Sequence, residues 1–196
     1  MRRLILLVAS AAVLAGCAAL RPKGPPPPAA AVAWDERRQD LERATRWDLD
    51  GRAAVALGQQ GWQATLNWRQ TGADSELHLA GPLGIGALTI KVTPAGLSLN
   101  GAAPNDAVVG QLQDRLGFEL PLDNLRYWLL GIPDPNTPFE LTRNGQDRAA
   151  RLLQAGWSIE YDDYMAGDGE LLPKRLVLTR AQARVRIAVD RWEAPH

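Results

Sequence analysis

Over residues 62–68, Trp62, Ala64, Leu66 and Trp68 alternate with Gln63, Thr65 and Asn67, and this period of two returns so often that it limits the possible folds more than any other feature of the chain. Side chains two apart lie on one face of a strand, so such a run describes a strand with one dry and one wet face. The habit recurs at Leu77 and Leu79; at Leu88, Ile90 and Val92; at Leu97 and Leu99; at Trp157, Ile159 and Tyr161; and at Leu176 and Leu178. It recurs again where Val185, Ile187 and Val189 are set against Arg184, Arg186 and Asp190. Turn signals part these runs: GQQG at 58–61, TGAD at 71–74, TPAG at 93–96, NG at 100–101 and QAG at 154–156. Strands joined by such turns predict antiparallel hairpins, dry on one side.

Three stretches carry a helical period instead. Residues 34–47 place Trp34, Leu41, Ala44 and Trp47 at spacings of seven and three, which predicts an amphipathic helix. Asp106 to Gly117 puts Val109, Leu112 and Leu116 on one side. Pro121 to Gly131 does the same with Leu122, Leu125, Trp128 and Leu129, and ends at Gly131 and Pro133. With 46% hydrophobic residues and seven tryptophans there is enough apolar surface for one sizeable core. A mainly β chain of this kind has more apolar concave surface than three short helices fill if its sheet curls. The sheet then either closes on its own side chains or leaves a cavity. Balanced charge, 22 basic against 22 acidic residues, gives no support for a nucleic-acid partner.

The first sixteen residues have the layout of an export signal: Arg2 and Arg3, an apolar run from Leu4 to Ala15, then small residues. The segment is short of the roughly 20 apolar residues of a membrane-spanning helix. Leu14-Ala15-Gly16-Cys17 resembles a bacterial lipobox, which implies cleavage before Cys17, a diacylglycerol thioether on it and an acylated amino terminus, with palmitate among the chains. Cys17 is the only cysteine in the chain. Two or more acyl chains anchor stably, so Cys17 is expected to tether the chain to a membrane. Ala18 resembles the residues that allow sorting to the outer membrane. Residues 17–33, with Pro25 to Pro28, read as a lipidated, proline-rich linker, and residues 34–196 as the folded domain.

Chemistry-bearing groups are sparse. His78 reads as a solvated strand residue and His196 is the last residue, so neither supports a nucleophilic triad. No cluster has metal-ligand spacing, and Asp162, Asp163, Asp168 and Glu170 read as a solvated loop. Gly84 and Gly86 precede a strand and not a helix, which excludes a phosphate loop. The expectation is a non-enzyme with no cofactor and no metal.

The stretch AGPLGIGAL at 80–88 raises a separate question, because Pro82 and three glycines mark a surface turn that nevertheless carries Leu83 and Ile85. Together with the lipobox, LDGRAAVAL, NWRQTGAD, GPLGIGALTIKV, PLDNLRYWLLGIP, the YDDY region and a closing strand ending in DRW, it resembles the LolB family over nearly the whole mature chain. The resemblance implies a half-open antiparallel β-barrel with a lid of short helices enclosing a hydrophobic cavity. It further implies a monomer, lipid-anchored on the periplasmic face of the outer membrane, that takes lipoproteins from a LolA-like periplasmic carrier, holds their acyl chains as cargo and inserts them among outer-membrane lipids. By the same resemblance Leu83 is the apolar tip of a membrane-inserting loop, and Ile85 adds a second apolar side chain. Alternation alone supplies the cavity candidates: Trp62, Leu66, Trp68, Leu79, Ile90 and Leu99 on strands, with Trp128 and Leu129 on the lid. The competing reading is a structural or assembly outer-membrane lipoprotein whose barrel is filled by side chains and whose loop docks a protein partner.

Overall fold

The computed structural model describes residues 29–167 and 169–193. A helix α1 (Ala29–Arg43) leads into five antiparallel strands, β1 (Arg46–Leu57), β2 (Gln60–Thr71), β3 (Asp74–Ala80), β4 (Leu88–Thr93) and β5 (Gly96–Leu99). Helices α2 (Asp106–Leu116) and α3 (Leu122–Leu129) follow. The chain then returns through β6 (Phe139–Arg143), β7 (Ala149–Gln154), β8 (Trp157–Gly167), β9 (Glu170–Arg180) and β10 (Ala183–Glu193).

All ten strands form one sheet in the order β5-β4-β3-β2-β1-β10-β9-β8-β7-β6. Every pairing is antiparallel, and only β1 with β10 joins strands distant in sequence. The sheet does not close: β5 and β6 remain edges. Its inward face carries the alternating residues read from the sequence, and α2 and α3 lie over that face with Val108, Leu112, Leu116, Leu125 and Leu129 buried. At one end Trp47 stacks on Trp68 at 5.7 Å and meets Trp192 at 5.5 Å. Pro173, which has no N–H for a ladder, sits in β9 beside the register shifts at Tyr161, Asp163 and Tyr164, where such a residue is tolerated.

Several boundaries differ from the sequence reading. The first helix starts at Ala29, inside the expected linker, and stops at Arg43; Trp47 belongs to β1 and is buried there by the strand period. On α2 Leu112 and Leu116 are buried as expected, but in the first turn, which the Asn105 side chain caps through Val108 N, Val108 is buried and Val109 is 40% exposed, so the apolar stripe runs at a spacing of four. Asp162 and Asp163 lie in β8 and Glu170 opens β9, so they are strand residues and not a loop. Strands β6 and β7 have no counterpart in the alternation. Asp168 and His196, like Cys17 and Pro25 to Pro28, lie outside the described residues.

β1 bends at a register shift between Asp50 and Gly51. A Cβ on Gly51 would press against the Ala188 carbonyl oxygen and stand 3.1 Å from Val189 Cα, both backbone atoms that cannot swing aside. Gly51→Ala is expected to cost about 1–3 kcal/mol through forced backbone shifts. A chemical-denaturation midpoint unchanged from the parent would contradict this.

Candidate functional site

The apolar face of the sheet and the underside of the lid enclose a cavity of about 40 Å³. Of the eight candidates from the sequence, Trp62, Leu66, Trp68, Leu79, Ile90 and Leu129 line it. Leu99 is buried opposite Ile90 on the edge strand β5 but is not part of the lining, and Trp128 is buried outside it with its indole N–H on Gln154. Alternation missed Phe118 and Leu120, which come from the connection between α2 and α3, and Ala53 and Val55, whose strand is rich in small residues. The lining has no polar side chain, so water gains nothing there and a hydrocarbon loses nothing. A space so lined stays dry.

Outside the cavity lies a groove of about 500 Å³ lined by Trp62, Leu79, Leu88 and Leu116 together with Pro82, Ile85 and Arg115. Trp62, Leu79 and Leu116 line both spaces. They are the wall between an open apolar groove and a closed apolar cavity.

The two lid helices are held in different ways. α3 is bolted by buried polar contacts: the Gln154 side-chain carbonyl accepts from Trp128 Nε1 at 2.8 Å and from Asp134 N at 2.9 Å, and its amide donates to the carbonyls of Asp134 and Thr137. Tyr161 donates its hydroxyl to the Trp128 carbonyl at 3.0 Å, and burial raises the Tyr161 phenol well above its ordinary pKa, so it remains a donor. Trp128 also packs on Trp157 at 6.5 Å. By contrast the described side chains of α2 make no hydrogen bond to the sheet, and Val108, Leu112 and Leu116 hold the helix by apolar packing. Such packing is non-directional, and another hydrocarbon can replace it.

The turn at 80–88 stands out from the sheet. A short 3₁₀ turn, Pro82–Gly84, is closed by Gly84 N to Gly81 O at 3.0 Å and by Gly81 N to Ile85 O at 3.1 Å. Leu83 sits at its tip, 98% exposed, and Ile85 is 73% exposed. Leu83 has φ 58° and ψ 22°, the left-handed region that costs a leucine about 1–2 kcal/mol. A leucine is thus held in a strained backbone and displayed to solvent, the opposite of folding back onto the core. Strain of this kind collects at functional sites.

His78 lies on the wet face of β3 with Nδ1 2.9 Å from Thr89 Oγ1. Among the described residues no three His, Cys, Asp or Glu side chains gather as a metal site.

An open, lidded antiparallel sheet of this kind is the architecture of a LolA-superfamily protein from Nitrosomonas europaea, which superposes with a TM-score of 0.52 at 9% identity, covering 83% of this chain and 92% of that one. The match is one of fold. Sequence narrows it: the family described as outer membrane lipoprotein LolB matches residues 45–192. The outer-membrane lipoprotein LolB of Nitrosococcus oceani is 32% identical with 97% of each chain covered, and that of Pseudomonas aeruginosa is 31% identical over 97% of this chain and 96% of its own. The chain belongs to the LolB family of outer-membrane lipoproteins.

Proposed function

We propose that this protein receives lipoproteins from a LolA-like carrier, shelters their acyl chains between sheet and lid, and releases them into the outer membrane through the loop that carries Leu83 and Ile85. The observation that supports this most is the display of Leu83, strained and fully exposed, beside an apolar groove separated from an apolar cavity by three side chains. A sixteen-carbon chain at about 0.8 kcal/mol per methylene would cost on the order of a dozen kcal/mol to expose to water, so cargo must pass between apolar spaces without crossing solvent. A descending series of free energies from carrier to receptor to lipid drives each step and needs no nucleotide.

The cavity must widen to admit a chain. In this reading α2 and the connection through Phe118 and Leu120 swing outward and acyl methylenes take the place of Leu112 and Leu116, while α3 stays bolted. Cys17 serves as an anchor, set apart from the transfer site by Pro25 to Pro28. A Cys17→Ala form exported from a cleavable signal is therefore expected to take up lipoprotein from its carrier at the parental rate in solution. Loss of uptake would make the anchor part of the site.

The small size of the closed cavity favours the second reading, a structural or assembly lipoprotein with a side-chain-filled sheet. Mass spectrometry of organic extracts from the purified protein separates the two. Stoichiometric acyl chains in excess of those on Cys17 support the receptor, and their absence after incubation with loaded carrier supports the filled sheet.

A further inference from the structure

On the outer face of the sheet, across the turn from the apolar groove, lies a trough of about 810 Å³ that the receptor reading leaves unused. Pro82, Leu83 and Gly84 form part of its wall. Its charged lining residues are Arg52, Arg175, Arg184 and Arg186 against a single carboxylate, Asp162. Strand pairing gathers them: Arg186 lies opposite Ala54 on β1 and Val177 on β9, and Arg52 lies opposite Ala188, itself opposite Arg175. The small side chains at Ala54 and Ala188 leave the guanidinium groups standing above a shallow floor. Arg52 is paired with Asp190 at 2.8 Å and Arg175 with Asp163 at 3.2 Å. Arg184 and Arg186 are exposed and have no ion-pair partner among the described residues.

We propose that this trough binds the anionic headgroups of net-negative phospholipids, with Arg184 and Arg186 as the principal contacts, while Leu83 is inserted in the bilayer. The proposal rests on the insertion reading above. When an apolar tip enters the hydrocarbon, the surface flanking it lies at headgroup depth, and here that surface is cationic on one side of the turn and apolar on the other. Guanidinium groups pair with phosphate in bidentate fashion. The trough would thus fix which way the groove faces when the tip is embedded, a matter that one leucine alone leaves free.

The test uses the mature Cys17→Ala protein and flotation with vesicles of phosphatidylcholine alone or of equimolar phosphatidylcholine and phosphatidylglycerol. Two cations near an anionic surface, each worth about a factor of five, give the parent roughly thirtyfold tighter binding to the anionic vesicles at low salt. Salt at a few hundred millimolar should largely abolish that preference. Arg184→Gln/Arg186→Gln should lose it while binding phosphatidylcholine as the parent does, and Arg184→Lys/Arg186→Lys, which keeps the charge but not the bidentate fork, should keep only part of it. Leu83→Glu should weaken binding to both vesicles; unchanged binding there would defeat the insertion reading, separately from the trough. The trough assignment is overturned if the parent shows no anionic preference or if the double Gln variant retains it. It is equally overturned if that variant keeps the preference but no longer takes cargo from the carrier, which would make the trough a protein-docking face.

Discussion

Leu83→Glu is expected to yield a protein that folds, loads cargo and then stalls. The side chain touches nothing that holds the fold, being 98% exposed, so melting should stay within about 0.5 kcal/mol of the parent, as for surface substitutions generally. Uptake should also persist, because Leu83 lines neither the groove nor the cavity. Transfer to lipid is another matter. Moving a leucine side chain from water to an apolar medium gains about 1.5–3 kcal/mol, so its loss alone slows delivery roughly tenfold to a hundredfold, and a carboxylate in its place adds a desolvation cost. Ile85→Glu added to it should deepen the defect and, because Ile85 also lines the groove, should lower uptake as well. Leu83→Gly is the sharper control: glycine relieves the left-handed strain, so stability should hold or rise while delivery still falls. Thermal melting, uptake from carrier and release to liposomes, all read on one preparation, decide the matter; normal release per folded molecule would remove the loop from the mechanism.

Gln154→Leu should have the largest effect on stability. The substitution strips partners from two buried donors, Trp128 Nε1 and Asp134 N, and from the carbonyls of Asp134 and Thr137. Each buried group left unsatisfied costs about 1–3 kcal/mol, so a loss of at least about 4 kcal/mol is expected, close to the whole stability of a marginal domain. Gln154→Glu keeps the two acceptor contacts but turns a donor toward two carbonyls into a charge, and should be no better. If urea unfolding of Gln154→Leu shifts by less than about 1 kcal/mol, α3 is not bolted as described.

Much of this was legible from alternation, and the exceptions have physical causes. The strands β2, β3, β4, β8, β9 and β10 announce themselves because large apolar residues fill their inward positions. β1 escapes the pattern because Gly51 and Ala53 stand where it packs closest against β10, and small inward residues carry little hydrophobic contrast. β6 is an edge strand whose side chains are mostly exposed, which erases the period altogether. The loop was legible as an anomaly, an apolar pair in a Gly-Pro turn; its left-handed leucine was not, since sequence statistics place glycine or asparagine there. Trp128 looked like a cavity residue because it shares a helical face with Leu125 and Leu129, yet its indole N–H is claimed by Gln154, which lies 26 positions away and could not be found by local spacing.

The central claim is that the closed apolar space opens beneath α2 to take an acyl chain. Trp62 lies on the wall between groove and cavity and is half-buried, so it reports on passage. The decisive measurement is a titration of the Cys17→Ala protein with a long-chain lysophospholipid below its micelle concentration, following tryptophan fluorescence and amide exchange together. The account predicts a saturable one-to-one fluorescence change that disappears in Trp62→Phe, with faster exchange across residues 106–120 and undiminished protection of residues 122–129. A response that never saturates, with exchange in α2 unaltered, would mean that the sheet is filled by its own side chains and receives nothing.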